Sequence, residues 1–409
     1  MPRSQLDLLG ALAVAILFEN YDQAVLTQAV KQIAADFGLI ESQLGNLLGF
    51  VRLGAIPAFF LIPFADRIGR RRLFLISVIG MSFATVLAAL SQNAAQFIAV
   101  QMLSRTFMVT SSATAYVIIA ESIAARHRGW GIGILGAVGA FGVGLSAMLF
   151  AAIDVLPYGW RAMYLFGVGP LVLLPWLRRR VVETARFTAH REDQRSRGDE
   201  NPLVGWWRPL TSLARIYPGR TLAVGLIGAT SSAGHAAAYN FSSYFVQTVH
   251  GWDPGQYSLM LLVAGVGGII GHPVAGRLAD RRGRRLAGAI FYGAFPLLGL
   301  VFYGGPSWMV PIAWVPMIFA MTGGSTIARA LSTELFPTSY RGTASGWLTL
   351  LETLGAAGGL FAVSWLTAEG ASAVPAVRIV MFLAVVASVA VLLLPETGQR
   401  ELEDISSDS

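Results

Sequence analysis

Apolar residues run through this chain in blocks rather than in stripes, and the blocks have one length. A helix needs about 20 apolar residues to cross a bilayer, and that window finds twelve spans, separated mostly by short polar turns: 6–30, 42–65, 72–92, 95–120, 129–153, 161–178, 221–247, 256–279, 286–304, 308–333, 343–366 and 374–394. The long exception is 179–220, with Arg178–Arg180 at its edge, a charged run from His190 to Glu200, and the pair Trp206–Trp207. The pattern predicts an all-α polytopic membrane protein. Residues 1–178 form a six-helix bundle, 179–220 a cytoplasmic linker with its tryptophans at headgroup level, 221–395 a second six-helix bundle, and 396–409 a cytoplasmic tail.

The two halves repeat. Ile62-Pro-Phe-Ala-Asp-Arg-Ile-Gly-Arg-Arg71 returns as Gly276-Arg-Leu-Ala-Asp-Arg-Arg-Gly-Arg-Arg285. Glu121 followed by Arg128-Gly129 returns as Glu334 followed by Arg341-Gly342, and Val182-Glu-Thr184 as Pro395-Glu-Thr397. Three landmarks in register argue for duplication of a six-helix unit.

Composition agrees and charge adds orientation. The chain of 409 residues is 55% hydrophobic and 13% charged, against about 25% charged in soluble proteins, and its mean hydropathy is +0.60. The net charge of +7 is topology rather than a nucleic-acid footprint. With both termini and the even-numbered loops on one side, only Lys31, Arg161 and Arg378 fall on the other, while Arg52, Arg105 and Arg329 lie within spans. The basic side is cytoplasmic by the positive-inside rule, which puts a multi-pass protein in the plasma (inner) membrane. No base-recognition motif accompanies the charge, so no nucleic acid is expected. Cysteine is absent, which excludes disulfides, thiolate metal sites and cysteine nucleophiles. The five histidines show no metal-ligand spacing, and no nucleotide loop or catalytic triad is visible, so an enzyme is not expected. The first apolar segment runs into Glu19 and Asp22 and is expected to be retained.

On these residues the chain resembles the major facilitator superfamily over nearly its whole length. Asp66-Arg-x-Gly-Arg-Arg71 and Gly276-x-Leu-Ala-Asp-Arg-x-Gly-Arg-Arg285 look like its loop 2–3 and loop 8–9 signature. Thr333-Glu-Leu-Phe-Pro-Thr-Ser-Tyr-Arg-Gly342 and Pro395-Glu-Thr-Gly398 resemble the branch of sugar porters and organic-acid symporters. Tyr21-Asp22 within Phe18–Leu26 looks like the first-helix motif of proton-coupled metabolite and aromatic-acid symporters. The resemblance implies alternating access by a monomer that needs no cofactor beyond a proton gradient. It also implies a cytoplasmic gate built from Asp66, Arg67, Gly69, Arg70, Glu121 and Arg128, and from Asp280, Arg281, Gly283, Arg284, Glu334 and Arg341. Charge latches of this kind can break and re-form as helices slide.

Charges within spans need partners or water. Asp22 and Arg105 each lie 16 residues from the cytoplasmic end of their helix, at ~24 Å depth, and opposite charges at matched depth are natural partners. In the resembled symporters such a couple carries the proton on the Asp. Glu19 lies one turn before Asp22 on nearly the same face and is a second candidate proton site, or a Glu hydrogen-bonded to a neighbouring helix. Arg52 is suited either to a substrate carboxylate or to neutralising Glu19 or Asp22. Arg329, near Glu334, is expected at the gate, with substrate contact as the alternative, and Glu352 is expected to face the cavity. In helix 7, His235, Tyr239, Asn240, Ser243 and Tyr244 gather on a polar stripe read, with Tyr21, as substrate-facing; the alternative is interhelical hydrogen bonding. His272-Pro273 reads as a kink. The glycine run from Gly129 to Gly144 reads as close helix packing; it lacks the Gly-Pro pairing of the superfamily's exporters, which favours uptake. Helix 7 lacks the paired glutamines of sugar porters. The residues therefore favour a proton-coupled symporter of a small organic anion. A proton-driven exporter, a sugar–proton symporter and a non-transporting sensor are the alternatives.

Overall fold

A computed structural model describes residues 2–184 and 207–397; the charged run 190–200, Trp206 and the tail beyond Thr397 lie outside them. Among the described residues every regular element is helical, as lipid requires, since a helix satisfies its own backbone hydrogen bonds. The chain divides into two compact units, Met1–Gly38 with Phe50–Leu203, and Leu39–Gly49 with Val204–Ser409.

The first unit is built from α1 (Arg3–Gln28), α2 (Val30–Phe37), the end of α3 (Glu41–Leu53), α4 (Ile56–Leu61), α5 (Ala65–Ile68), α6 (Arg70–Ala89), α7 (Ala94–Ser122), α8 (Ala125–Ala151), α9 (Trp160–Phe166), α10 (Gly169–Val172) and α11 (Leu174–Arg180). Leu8, Leu12 and Ile16 of α1 pack with Phe74 and Val78 of α6, Ile118 of α7 and Leu135 of α8 in one buried cluster. The second span is broken into α3, α4 and a short 3-10 turn around Pro57 and Pro63, and the sixth bends by 41° between α9–α10 and α11. Pro57, Pro63, Pro170 and Pro175 stand at these breaks, since proline supplies no N–H and clashes with the preceding turn.

The second unit contains α12 (Trp207–Ile216), α13 (Pro218–Val249), α14 (Pro254–Arg282), α15 (Arg284–Gly304), α16 (Met309–Glu334), α17 (Arg341–Leu366), α18 (Ala373–Met381) and α19 (Leu383–Leu393). Helix α12 lies inside the stretch read as linker. Leu213 is wholly buried and the helix packs on α13 and α17, so the end of that stretch belongs to the folded unit. Polar residues set one apolar side aside on α12, a surface pattern the span window does not detect.

Among the described residues nine helical segments are long and apolar enough to cross a membrane, and the bent sixth makes a tenth. Helices α7 and α13, of 29 and 32 residues, are long enough to span but are not among them. Counting both gives the twelve spans expected. Their polar residues, from Gln101 to Ser112 and from Ser231 to Gln247, set them apart from the more apolar spans.

Candidate functional site

In the first unit, α1 presents Glu19 and Asp22 to α7. Both carboxylates are buried, Asp22 to 2% exposure. The Ser112 hydroxyl donates to Glu19 Oε2 at 2.6 Å, and Ser104 reaches Asp22 Oδ2 at 3.5 Å. Asp22 Oδ1 and Arg105 Nε are buried without a hydrogen-bond partner. The Arg105 guanidinium lies within electrostatic reach of both carboxylates. No direct ion pair closes among the described residues of this trio.

The helix explains the arrangement. Successive residues are about 100° apart around an α-helix, so Ser104 and Arg105 cannot both face Asp22. Ser104 takes that face. Arg105 shares its own with Ser112, seven residues on, and so lies toward Glu19. The matched-depth pairing of Asp22 with Arg105 is therefore shared with Glu19. Ser104 and Ser112 were missed in the sequence, although each adjoins a face marked by Arg105.

Tyr21 is wholly buried, its ring 5.4 Å from that of Phe166, and its hydroxyl donates to the Met163 carbonyl at 2.7 Å. That bond ties α1 to α9 and uses the group expected to meet a solute. Arg52 lies half-buried in the last turn of α3.

In the second unit the polar residues of α13 separate. His235 packs edge-on against Phe295 at 4.4 Å, with Nε2 buried and unpartnered. Tyr239 stacks on Trp314 at 5.9 Å. Asn240 is buried and donates to the Ala236 carbonyl at 2.8 Å, and Gln247 donates to Ser243 Oγ at 2.8 Å. Tyr244 donates to Glu41 Oε1 at 3.1 Å; Glu41 also accepts the Ala373 N–H at 2.6 Å. Asn240 and Ser243 thus take part in bonds within α13 and Tyr244 in one to α3, while His235 Nε2 has no hydrogen-bond partner. Arg329 Nη2 lies 3.7 Å from Glu352 Oε2.

The repeated Asp-Arg-x-Gly-Arg-Arg motif builds the same network twice. In the first unit Arg70 Nη2 meets Glu121 Oε1 at 3.3 Å, and Thr184 donates to Glu121 Oε2 at 2.5 Å. Glu183 Oε1 accepts the backbone N–H of Arg70 at 3.0 Å and of Arg71 at 3.3 Å. In the second, Arg284 forks onto both oxygens of Glu334 at 3.1 Å, Thr397 donates to Glu334 Oε2 at 2.6 Å, and Glu396 accepts from the N–H groups of Arg284 at 2.7 Å and Arg285 at 3.2 Å. The carboxylates of Glu183 and Glu396 thus cap the N-termini of α6 and α15, where free N–H groups and the helix dipole favour an anion. Gly69 and Gly283 precede those helices at φ 101° and 91°, a region that favours glycine. Asp280 pairs with Arg284 at 2.8 Å. Arg67 and Arg281 are exposed, and Arg341 Nε is buried without an acceptor. The side chains of Asp66 and Arg128 lie outside the described residues. Glu121 and Glu334, both expected at the gate, make these contacts in each unit, joined by Glu183 and Glu396, which were not expected there.

The Major Facilitator Superfamily model matches residues 12–360 and 224–407. A gallate transporter of Pseudomonas putida is 26% identical over 374 residues, covering 83% of this chain and 81% of its own length. A cis,cis-muconate transport protein of Acinetobacter baylyi is 25% identical over 370 residues, covering 84% and 83%. The inward open structure of the xylose transporter XylE from E. coli shares the fold with a TM-score of 0.77 at 19% identity, over 98% of this chain and 99% of that one. The duplicated six-helix plan, the twice-built arginine–glutamate network and these matches together make the chain a member of the Major Facilitator Superfamily, a multi-pass membrane transporter.

Proposed function

We propose that the protein is a proton-coupled symporter of a small organic anion, working by alternating access in the plasma membrane with both termini cytoplasmic. The observation that carries the reading is the trio Glu19, Asp22 and Arg105, two buried carboxylates sharing one guanidinium with Asp22 Oδ1 unpartnered. A buried polar atom without a partner asks for a functional explanation. A carboxylate that exchanges a proton supplies one: it can be charged beside Arg105 and neutral when the carrier turns over, so no bare charge has to cross apolar surroundings. The names of the gallate and muconate relatives support an aromatic or unsaturated carboxylic acid as the solute class.

The test is uptake of gallate and cis,cis-muconate into proteoliposomes with an imposed pH gradient. Accumulation should follow an acid-outside gradient and collapse when a protonophore dissipates it. Asp22→Asn should abolish gradient-driven accumulation. Accumulation by that variant with undiminished dependence on the gradient removes Asp22 from the coupling role, and accumulation of xylose alone moves the protein to sugar transport.

A further inference from the structure

In the second unit, α16 carries Thr322, Thr326, Arg329 and Thr333, at spacings of four, three and four that keep them on one face. His272 of α14 joins this stripe, its Nδ1 2.8 Å from Thr326 Oγ1. Arg329 is two-thirds exposed, at 66% of its side chain. An arginine this exposed in a spanning helix, on a face shared with threonines and a histidine, is turned to water rather than to acyl chains.

The contacts of Arg329 differ from those of the gate arginines. Arg284 has 14% of its side chain exposed, forks onto Glu334, bridges to Asp280 and donates to the Ala279 carbonyl. Arg70 is similarly enclosed by Glu121 and the Ala65 carbonyl. Arg329 has one contact of 3.7 Å to Glu352, beyond hydrogen-bond length, and none of its donors has a hydrogen-bond acceptor among the described residues. Glu352 is mostly buried, against Gly228 of α13, and holds the guanidinium by charge without occupying its fork.

From this geometry we propose that Arg329 is the subsite that binds a carboxylate of the transported solute, flanked by His272 and Thr326, with Glu352 as the counter-charge the solute replaces. The proposal rests on the organic-anion reading above and assigns that anion to a residue which position alone had placed at the gate. A guanidinium fork matches a carboxylate with two parallel hydrogen bonds. An incoming acid would thus exchange one long contact for two short ones.

The experiment measures binding to the full chain in lipid nanodiscs, using gallate and cis,cis-muconate, each beside its neutral amide. Wild-type protein should prefer at least one acid over its amide by about tenfold or more, as a site built around a polar partner discriminates against a ligand lacking it. Arg329→Gln should reduce that preference by about tenfold while the variant keeps the wild-type melting temperature in the same nanodiscs, which separates lost recognition from lost folding. Arg329→Lys should restore part of it, since charge returns without the fork. Glu352→Gln should keep or strengthen acid binding. If wild type prefers the acids and Arg329→Gln keeps the full preference, the assignment to Arg329 falls and the anion reading stands. If wild type prefers no acid, the anion reading falls and this subsite with it.

Discussion

Two glutamates show how much one side chain can organise. Glu183 and Glu396 stand one residue before the threonines that bind Glu121 and Glu334, and each collects two backbone N–H groups at the start of a following span. Replacing either with alanine leaves those N–H groups unpaired, at a cost of about 1–3 kcal/mol. Glutamine keeps an acceptor and loses only the charge–dipole part, about 0.3–1 kcal/mol. Thermal unfolding in detergent should rank both positions as wild type, then Gln, then Ala; equal melting temperatures for Glu396→Ala and wild type would remove the cap from the account. The repeat of Val182-Glu-Thr184 as Pro395-Glu-Thr397 was legible as a landmark of duplication. Its capping function was not, because nothing local in the sequence says that a carboxylate returns 113 residues later to the amide of Arg70.

Element packing was readable in kind but not in detail. The glycine run of α8 was expected to serve close approach, yet only some of its glycines do. A Cβ on Gly142 would stand 2.2 Å from the Leu17 carbonyl oxygen, whereas Gly133 and Gly136 have nothing within 4 Å. In α17, Gly355 and Gly359 would press on the backbone of Ala229 and Ala233 at 2.1 and 2.4 Å, so two small residues four apart on each helix seat α13 against α17. Gly358, one residue away, meets nothing. Alanine should therefore act with opposite signs at neighbouring positions. Gly355→Ala should destabilise by about 1–3 kcal/mol, the cost of overpacking. Gly358→Ala should be neutral or stabilise by up to about 1 kcal/mol, from helix propensity. Melting curves of the two variants decide it, and a shared sign would mean that helix propensity rather than contact governs this face. Composition could not have separated them, since which glycine faces a neighbour depends on helix rotation.

Across the whole chain, what repeats and what does not divide the labour. The arginine, glutamate and threonine networks recur at a fixed offset in both units. Asp22, Arg52 and Arg105 have no charged counterpart there. The spans and the duplication were legible because hydrophobic length and repeated motifs are one-dimensional properties. The sharing of Arg105 between two carboxylates was not, because it depends on which residue of α7 faces α1. If Asp22 is the proton carrier of the proposed symport, Asn at that position resembles its neutral form, and a loaded carrier needs only that form to turn over. Net accumulation and exchange should then part company. Asp22→Asn proteoliposomes preloaded with unlabelled gallate should still take up labelled gallate by counterflow, at rates independent of pH, while accumulation against a gradient is lost. Glu19→Gln provides the comparison, because Ser112 can still donate to its amide oxygen. Should Glu19→Gln lose accumulation and keep counterflow while Asp22→Asn behaves as wild type, the carried proton resides on Glu19.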